Sequence, residues 1–165
     1  NINQSTEKLI NFCAPKEPVK KTEGRGDFLK LATKKGLQVL NTNNKNGFFL
    51  MIEGSQIDWG GHDNNSNYII SETLDFDKAI QIALEFAESD KNTLVLITAD
   101  HETGGYGITG RDRNSGELKT NFLNDDHTAT MVPLFGFGPG ANDFTGIYDN
   151  TELYIKMLES LSITY

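Results

Sequence analysis

Residues 47–65 read GFFLMIEGSQIDWGGHDNN, an apolar run that passes directly into Glu53, Asp58 and His62. The run 47–52 is short and continuously apolar, the pattern of a strand covered on both faces in a core. Acids and an imidazole just beyond the carboxyl end of such a strand stand where open α/β sheets place their ligands. The arrangement recurs downstream. TLVLIT at 93–98 reads as a second buried strand, rich in β-branched residues, and it runs into Ala99-Asp100-His101-Glu102. A third apolar stretch, 131–137, follows a loop that carries Asp125-Asp126-His127.

The segments between these runs have helical spacing. Phe28, Leu31, Ala32, Val39 and Leu40 recur behind Asp27, which is placed to cap a helix of about fourteen residues. Phe76, Ile80, Ala83, Leu84 and Ala87 share a face of a second helix at 75–89, with Asp75 as its cap. Tyr154, Met157, Leu158 and Leu161 line a last helix that Asn150 or Thr151 caps. Strand, helix and strand in this order, with apolar rather than alternating strands, predict a right-handed βαβ crossover. The fold class is therefore α/β, with a mostly parallel sheet and flanking helices. Residues 1–26 are polar and broken by Pro15, Pro18, Gly24 and Gly26, so they read as a linker or peripheral arm with one short helix at 7–12. Residues 27–165 form the body, with a Gly-rich loop at 104–116. DRNSGE at 112–117 lacks the spacing of a calcium loop and reads as a simple turn.

Composition narrows the function. With 165 residues the chain suits one domain, and ten Phe give it core bulk. A net charge of −8 and a pI near 4.8 argue against nucleic acid or an anionic membrane as partner. The Lys20-Lys21 and Lys34-Lys35 pairs read as solvated surface. No apolar run approaches the ~18 residues of a membrane span. Cys13 is the sole cysteine, so an intrachain disulfide is excluded.

All three histidines fall beside strand ends, each with an Asp one or four residues before it. A single His next to an Asp is commonly a solvated pair; three at corresponding positions point to metal. Imidazole with carboxylate suits Zn²⁺, and a carboxylate without His suits Mg²⁺. Asp58 and His62, at i and i+4, would meet on one side of a helical turn. Asp100 and His101 can converge where the backbone leaves the pleat. Glu53 alone reads as a loop acid or a Mg²⁺ ligand, and Trp59 as packing or a site wall. Glu102, Asp125 and Asp126 read as supporting or solvent-facing groups.

The segments GFFLMIEGSQIDWGGHDN, TLVLITADHETGG, DHTATMVPLFGFGPGA and YDNTEL, in this order, resemble the carboxyl-terminal half of bacterial alkaline phosphatases. The resemblance covers roughly residues 27–161 and leaves out the first 26. It implies that Glu53 helps hold Mg²⁺, that Asp58, His62 and His127 bind one zinc, and that Asp100 and His101 bind a second. Trp59 would wall the phosphate site. The implied activity is hydrolysis of phosphomonoesters through a phosphoserine, with two Zn²⁺ and one Mg²⁺ in the parent enzyme. The family's nucleophile sits in an Asp-Ser-Ala type motif, and no Asp-Ser pair occurs in this chain. Arg25, Arg111 and Arg113 do not match the family's phosphate-clamping Arg. The chain is therefore expected to be a fragment, inactive alone, whose partners are the missing amino-terminal half and a phosphomonoester. A periplasmic or secreted location also follows from the resemblance, and a homodimer is a further partner to be expected. Half of a sheet leaves an edge, so exposed apolar surface or self-association is expected. Two rival readings are a stand-alone zinc-binding or structural domain and part of a related phosphodiesterase or phosphomutase. ADHETGG and GPGA favour the phosphatase.

Overall fold

The computed structural model describes residues 8–42 and 44–163 of the chain. Helix α1 spans Phe28–Asn41, the fourteen residues that the apolar spacing predicts, and it buries Thr33 and Leu37. Asp27 stands at its N-cap position, but the carboxylate makes no capping bond. It takes an ion pair from Lys21 Nζ at 3.1 Å instead. Helix α2 spans Gln56–His62, so Asp58 and His62 sit on a helix rather than on a loop.

Helix α3 spans Ser66–Asp90 and begins well before the expected start. Asn65 caps it by accepting a hydrogen bond from the Tyr68 amide, which leaves Asp75 in the helix interior. Tyr68, Glu72, Asp75 and Ala79 form a buried stripe along α3 at helical spacing. Two of those four side chains are acids, and a buried carboxylate must find a partner. The amino-terminal arm supplies it. Arg25 bonds both Glu72 and Asp75, and Lys21 Nζ lies 2.7 Å from Asp75 Oδ1. Lys20 pairs with Asp63 at 3.2 Å and sits 4.0 Å over the Tyr68 ring. Lys20 and Lys21, read as solvated surface, thus anchor residues 18–25 to α2 and α3. A short 3-10 turn at Lys21–Glu23 sets their spacing. Residues 8–12 are not helical; Glu7, the start of the short helix expected there, lies outside the described residues.

The strands differ from the parallel sheet that the sequence predicts. They are β1 (Val95–Ile97), β2 (Glu102–Thr103), β3 (Gly107–Arg111), β4 (Leu118–Asn121), β5 (His127–Thr128) and β6 (Phe135–Phe137). They pair as β1 with β6, β2 with β5 and β3 with β4, and every pairing is antiparallel. The run 47–52 joins neither a helix nor a ladder among the described residues. It packs one face only: Leu50 lies against Gly36 of α1, and the Phe48 ring stands 6.1 Å from that of Phe86 on α3. Phe49 and Met51, on the other face, are exposed. The proposed crossover therefore lacks its first strand, and β1 pairs with a later strand running the opposite way. Continuous apolarity announces two covered faces, yet it names neither the strand partner nor its direction. The segment expected as a Gly-rich loop, 104–116, holds β3 and most of the turn of a hairpin whose second strand, β4, follows it; that turn, at 112–117, is built by Asp112 accepting from the Asn114 and Ser115 amides.

Helix α4 spans Asn150–Ser160 and is capped by Asp149 through the Thr151 amide, one residue before the expected cap. Its predicted apolar face is only partly covered, with Tyr154 and Leu161 exposed. Among the described residues no helix is long and apolar enough to cross a membrane.

Candidate metal centre

Asp58 and His62 project one turn apart from α2, whose position depends on two glycines. A Cβ at Gly60 would stand 2.9 Å from the Ile69 backbone nitrogen, and one at Gly61 would stand 2.8 Å from Thr103 Cβ. Glycine at both positions lets α2 lie directly on the start of α3 and on β2. The β2–β5 ladder then places Thr103 opposite His127. In this way a helix and a later strand deliver three ligand-type side chains to one point.

Asp58, His62 and His127 offer ligand atoms that all lie within 4.8 Å of one another. His62 Nε2 is 3.4 Å from Asp58 Oδ2 and 3.2 Å from His127 Nε2, and His127 Nε2 is 3.5 Å from Asp58 Oδ1. Ligands held about 2.0–2.1 Å from a tetrahedral zinc are spaced by roughly 3.3 Å. The two imidazole nitrogens are at that spacing and each lies near it from one of the two Asp58 oxygens, so two imidazoles and a carboxylate fit a zinc with one open position.

The surrounding groups orient these donors. His62 Nδ1 lies 2.6 Å from the Asp125 carbonyl oxygen, which can only accept. The ring must therefore donate from Nδ1, and a neutral ring keeps its lone pair on Nε2, facing the cluster. That bond also raises the His62 pKa above its usual 6.5, against a smaller desolvation effect and with help from Asp58, Asp126 and Asp125. Thr103 donates its hydroxyl proton to Asp58 Oδ1 and stands 3.2 Å from His101 Nδ1. Asp126 accepts from the His127 amide at 2.8 Å. Burial works to raise the Glu102 carboxyl, but the Thr128 hydroxyl and the Tyr106 and Gly105 amides bond its charged form. With His101, they hold it below its usual value. Glu102 thereby ties the β2 end to β5.

The other sequence-derived candidates are arranged less tightly. The His101 ring stacks on His127 with centroids 3.5 Å apart and planes 20° apart, and its Nδ1 is 4.0 Å from Asp58 Oδ1. Asp100 lies 3.4 Å from His101 Nε2 with its side chain 86% exposed. Asp100 and His101 adjoin the first cluster as a pair of donors. Glu53 is exposed and joins no group of three ligand-type side chains among the described residues. Trp59 is half-exposed on α2. Sequence reasoning missed Thr103, whose role depends on a ladder partner and carries no local signal. It also left the Asp125 contribution open, which comes from the backbone and not from the acid.

Comparison with known proteins gives a consistent picture. A sequence model of the family described as alkaline phosphatase matches residues 3–121, taking in most of the arm that the motif resemblance left out. Alkaline phosphatase 4 of Bacillus subtilis is 31% identical, aligned over 75% of this chain and 41% of its own length. Alkaline phosphatase H of Pseudomonas aeruginosa is 35% identical over 79% of this chain and 31% of its own. Among solved structures, the alkaline phosphatase of the Antarctic bacterium TAB5 superposes with a TM-score of 0.83 at 46% identity, covering 89% of this chain and 44% of that one. A variant of that enzyme, solved with Mg bound in its M3 site, superposes with a TM-score of 0.82 at 44% identity over 90% of this chain and 46% of that one. The chain thus spans less than half the length of these relatives.

Proposed function

From the premise that this chain belongs to the alkaline phosphatase family, we propose that it supplies the carboxyl-terminal metal ligands of a metal-dependent phosphomonoester hydrolase. The observation that carries this reading is the convergence of Asp58, His62 and His127 at the donor spacing of a tetrahedral zinc site. In this reading Asp100 and His101 hold part of a second zinc site, Glu53 contributes to a Mg²⁺ site, and Trp59 borders the phosphate. When bound, zinc supplies Lewis acidity and lowers the pKa of a coordinated water to about 7, the chemistry that phosphoester hydrolysis uses.

The chain's own groups prepare that site. The Asp125 carbonyl fixes the His62 tautomer, the Thr103 hydroxyl holds Asp58 Oδ1, and the His101–His127 stack aligns both rings beside Asp58. The serine nucleophile comes from sequence beyond these residues, because no Asp-Ser pair occurs here and the family's route passes through a phosphoserine. The chain alone is accordingly inactive, and the amino-terminal half of the enzyme is its partner. Phe49 and Met51 present apolar surface to which that half would dock. Export to the periplasm or beyond accompanies this reading.

Calorimetric titration of the metal-free chain with zinc tests it. One tight zinc, lost in His127→Ala, is the expected result. A chain that takes up no zinc, or a variant that binds as tightly as the parent, would sink the metal reading.

A further inference from the structure

Helix α2 has seven residues, too few to hold a helical conformation or an orientation by itself. Its neighbours must do so, and one of them is the amino-terminal arm. Gln56, the first residue of α2, is 5% exposed and spans two elements with its amide. Its Nε2 donates to the Pro18 carbonyl, and its Oε1 accepts from the Tyr68 hydroxyl at 2.8 Å. The amide cannot be turned over, because the Pro18 oxygen can only accept. Tyr68 remains a donor, its pKa pushed up to about 12 by burial and by the nearby Glu72 and Asp63. At the other end of α2, Asp63 follows His62 directly and pairs with Lys20 at 3.2 Å. The arm therefore touches α2 on both sides of the Asp58–His62 pair.

The arm is fastened independently of α2. Arg25 and Lys21 neutralise Glu72 and Asp75 on the buried stripe of α3, and the Lys21 amide donates to Glu72 Oε1 at 2.8 Å. A segment locked to α3 at one end and bonded to both ends of α2 is a strap.

We propose that residues 18–25 are a strap that positions α2, with Gln56 as the positioning residue through which the arm sets the orientation of Asp58 and His62. Its consequence for metal binding rests on the zinc reading above. Leucine at position 56 would leave the Pro18 carbonyl and the Tyr68 hydroxyl unpartnered. Glutamate would keep the Tyr68 bond but set an acceptor against the Pro18 oxygen, so it separates the arm contact from the α3 contact.

The test uses the full chain and two readouts. Amide hydrogen exchange of the metal-free protein follows the Asp63 and Asn64 amides, which bond to the Trp59 and Gly61 carbonyls of α2. Zinc titration follows the site. In Gln56→Leu and Gln56→Glu, these amides exchange roughly tenfold faster while α1 amides are unchanged. Zinc affinity falls by about tenfold or more with the stoichiometry kept. Leu37→Val, in the core of α1, is the control: it lowers the melting temperature and leaves the zinc dissociation constant alone. Unchanged α2 exchange in both Gln56 variants would overturn the strap, whatever zinc does. If α2 exchange responds but the parent chain takes up no zinc, the strap stands and the metal reading fails.

Discussion

Thr103 donates its hydroxyl proton to Asp58 Oδ1 while its backbone is the ladder partner of His127. One residue thus couples α2 to β5, and with them the acid and the imidazole that converge at the candidate metal centre. Asp58, held by that bond on one oxygen, keeps the other facing His62.

Thr103→Val removes the donor and keeps the shape. Zinc affinity, measured by competition with a chelator, should fall by about 10–100-fold, the usual effect of losing a group that orients a ligand. Thr103→Ser should retain most of the affinity. Equal affinity in parent and valine variant would show that Asp58 is held by something else.

Arg25 is the main neutralising group for two buried carboxylates, its side chain 8% exposed beside Glu72 and Asp75. Removing one partner of such a group strands the other charges, so Arg25→Met should lower unfolding free energy by roughly 3–5 kcal/mol. Urea denaturation measures this. A loss under about 1 kcal/mol would mean that Lys21 alone satisfies the pair or that the arm is detached in solution.

Lys21 titrates above its usual 10.5, first through its hydrogen bond to Asp75 against desolvation, and then through Asp27. A folded pKa raised above the unfolded one contributes stability that is complete below 10.5 and is lost as pH rises through the folded value. The urea midpoint of the parent should therefore fall more steeply above that pH than the midpoint of Lys21→Met. Tyr68, raised to about 12, acts in the same direction in both proteins, so the difference between them isolates Lys21. Parallel pH profiles would remove Lys21 from the groups that fasten the strap.

The outward face of residues 47–52 carries Phe49 and Met51, at 58% and 79% exposure, and β6 adds Phe135 and Phe137. Exposed apolar residues in this number drive association. Light scattering should show concentration-dependent self-association of the chain, with binding of an apolar-sensitive dye. Phe49→Lys combined with Met51→Lys should reduce both. A strictly monomeric chain that binds no dye would mean that this face is covered within the chain itself.

Local spacing in the sequence determined α1, α4, the later part of α3 and the chemistry on offer. Fourteen residues of α1, the core of β1 and the place of α4 follow from which positions are apolar, because a helix or strand face is a property of neighbours in the chain. The pairing of each histidine with a nearby Asp was also legible, although His62 stands on α2 and not beyond a strand. Tertiary structure alone decided the rest. Strand direction depends on which ladder partner arrives, so β1 met β6 antiparallel where a parallel crossover was expected. Asp75 resembles a cap in sequence, but Asn65 begins the helix earlier and the Lys21 and Arg25 side chains make its burial tolerable. Thr103 and Gln56 carry no local signature because each acts through a partner dozens of residues away. A sequence states what each residue can offer; only the folded chain brings donor and acceptor to within a bond length of one another.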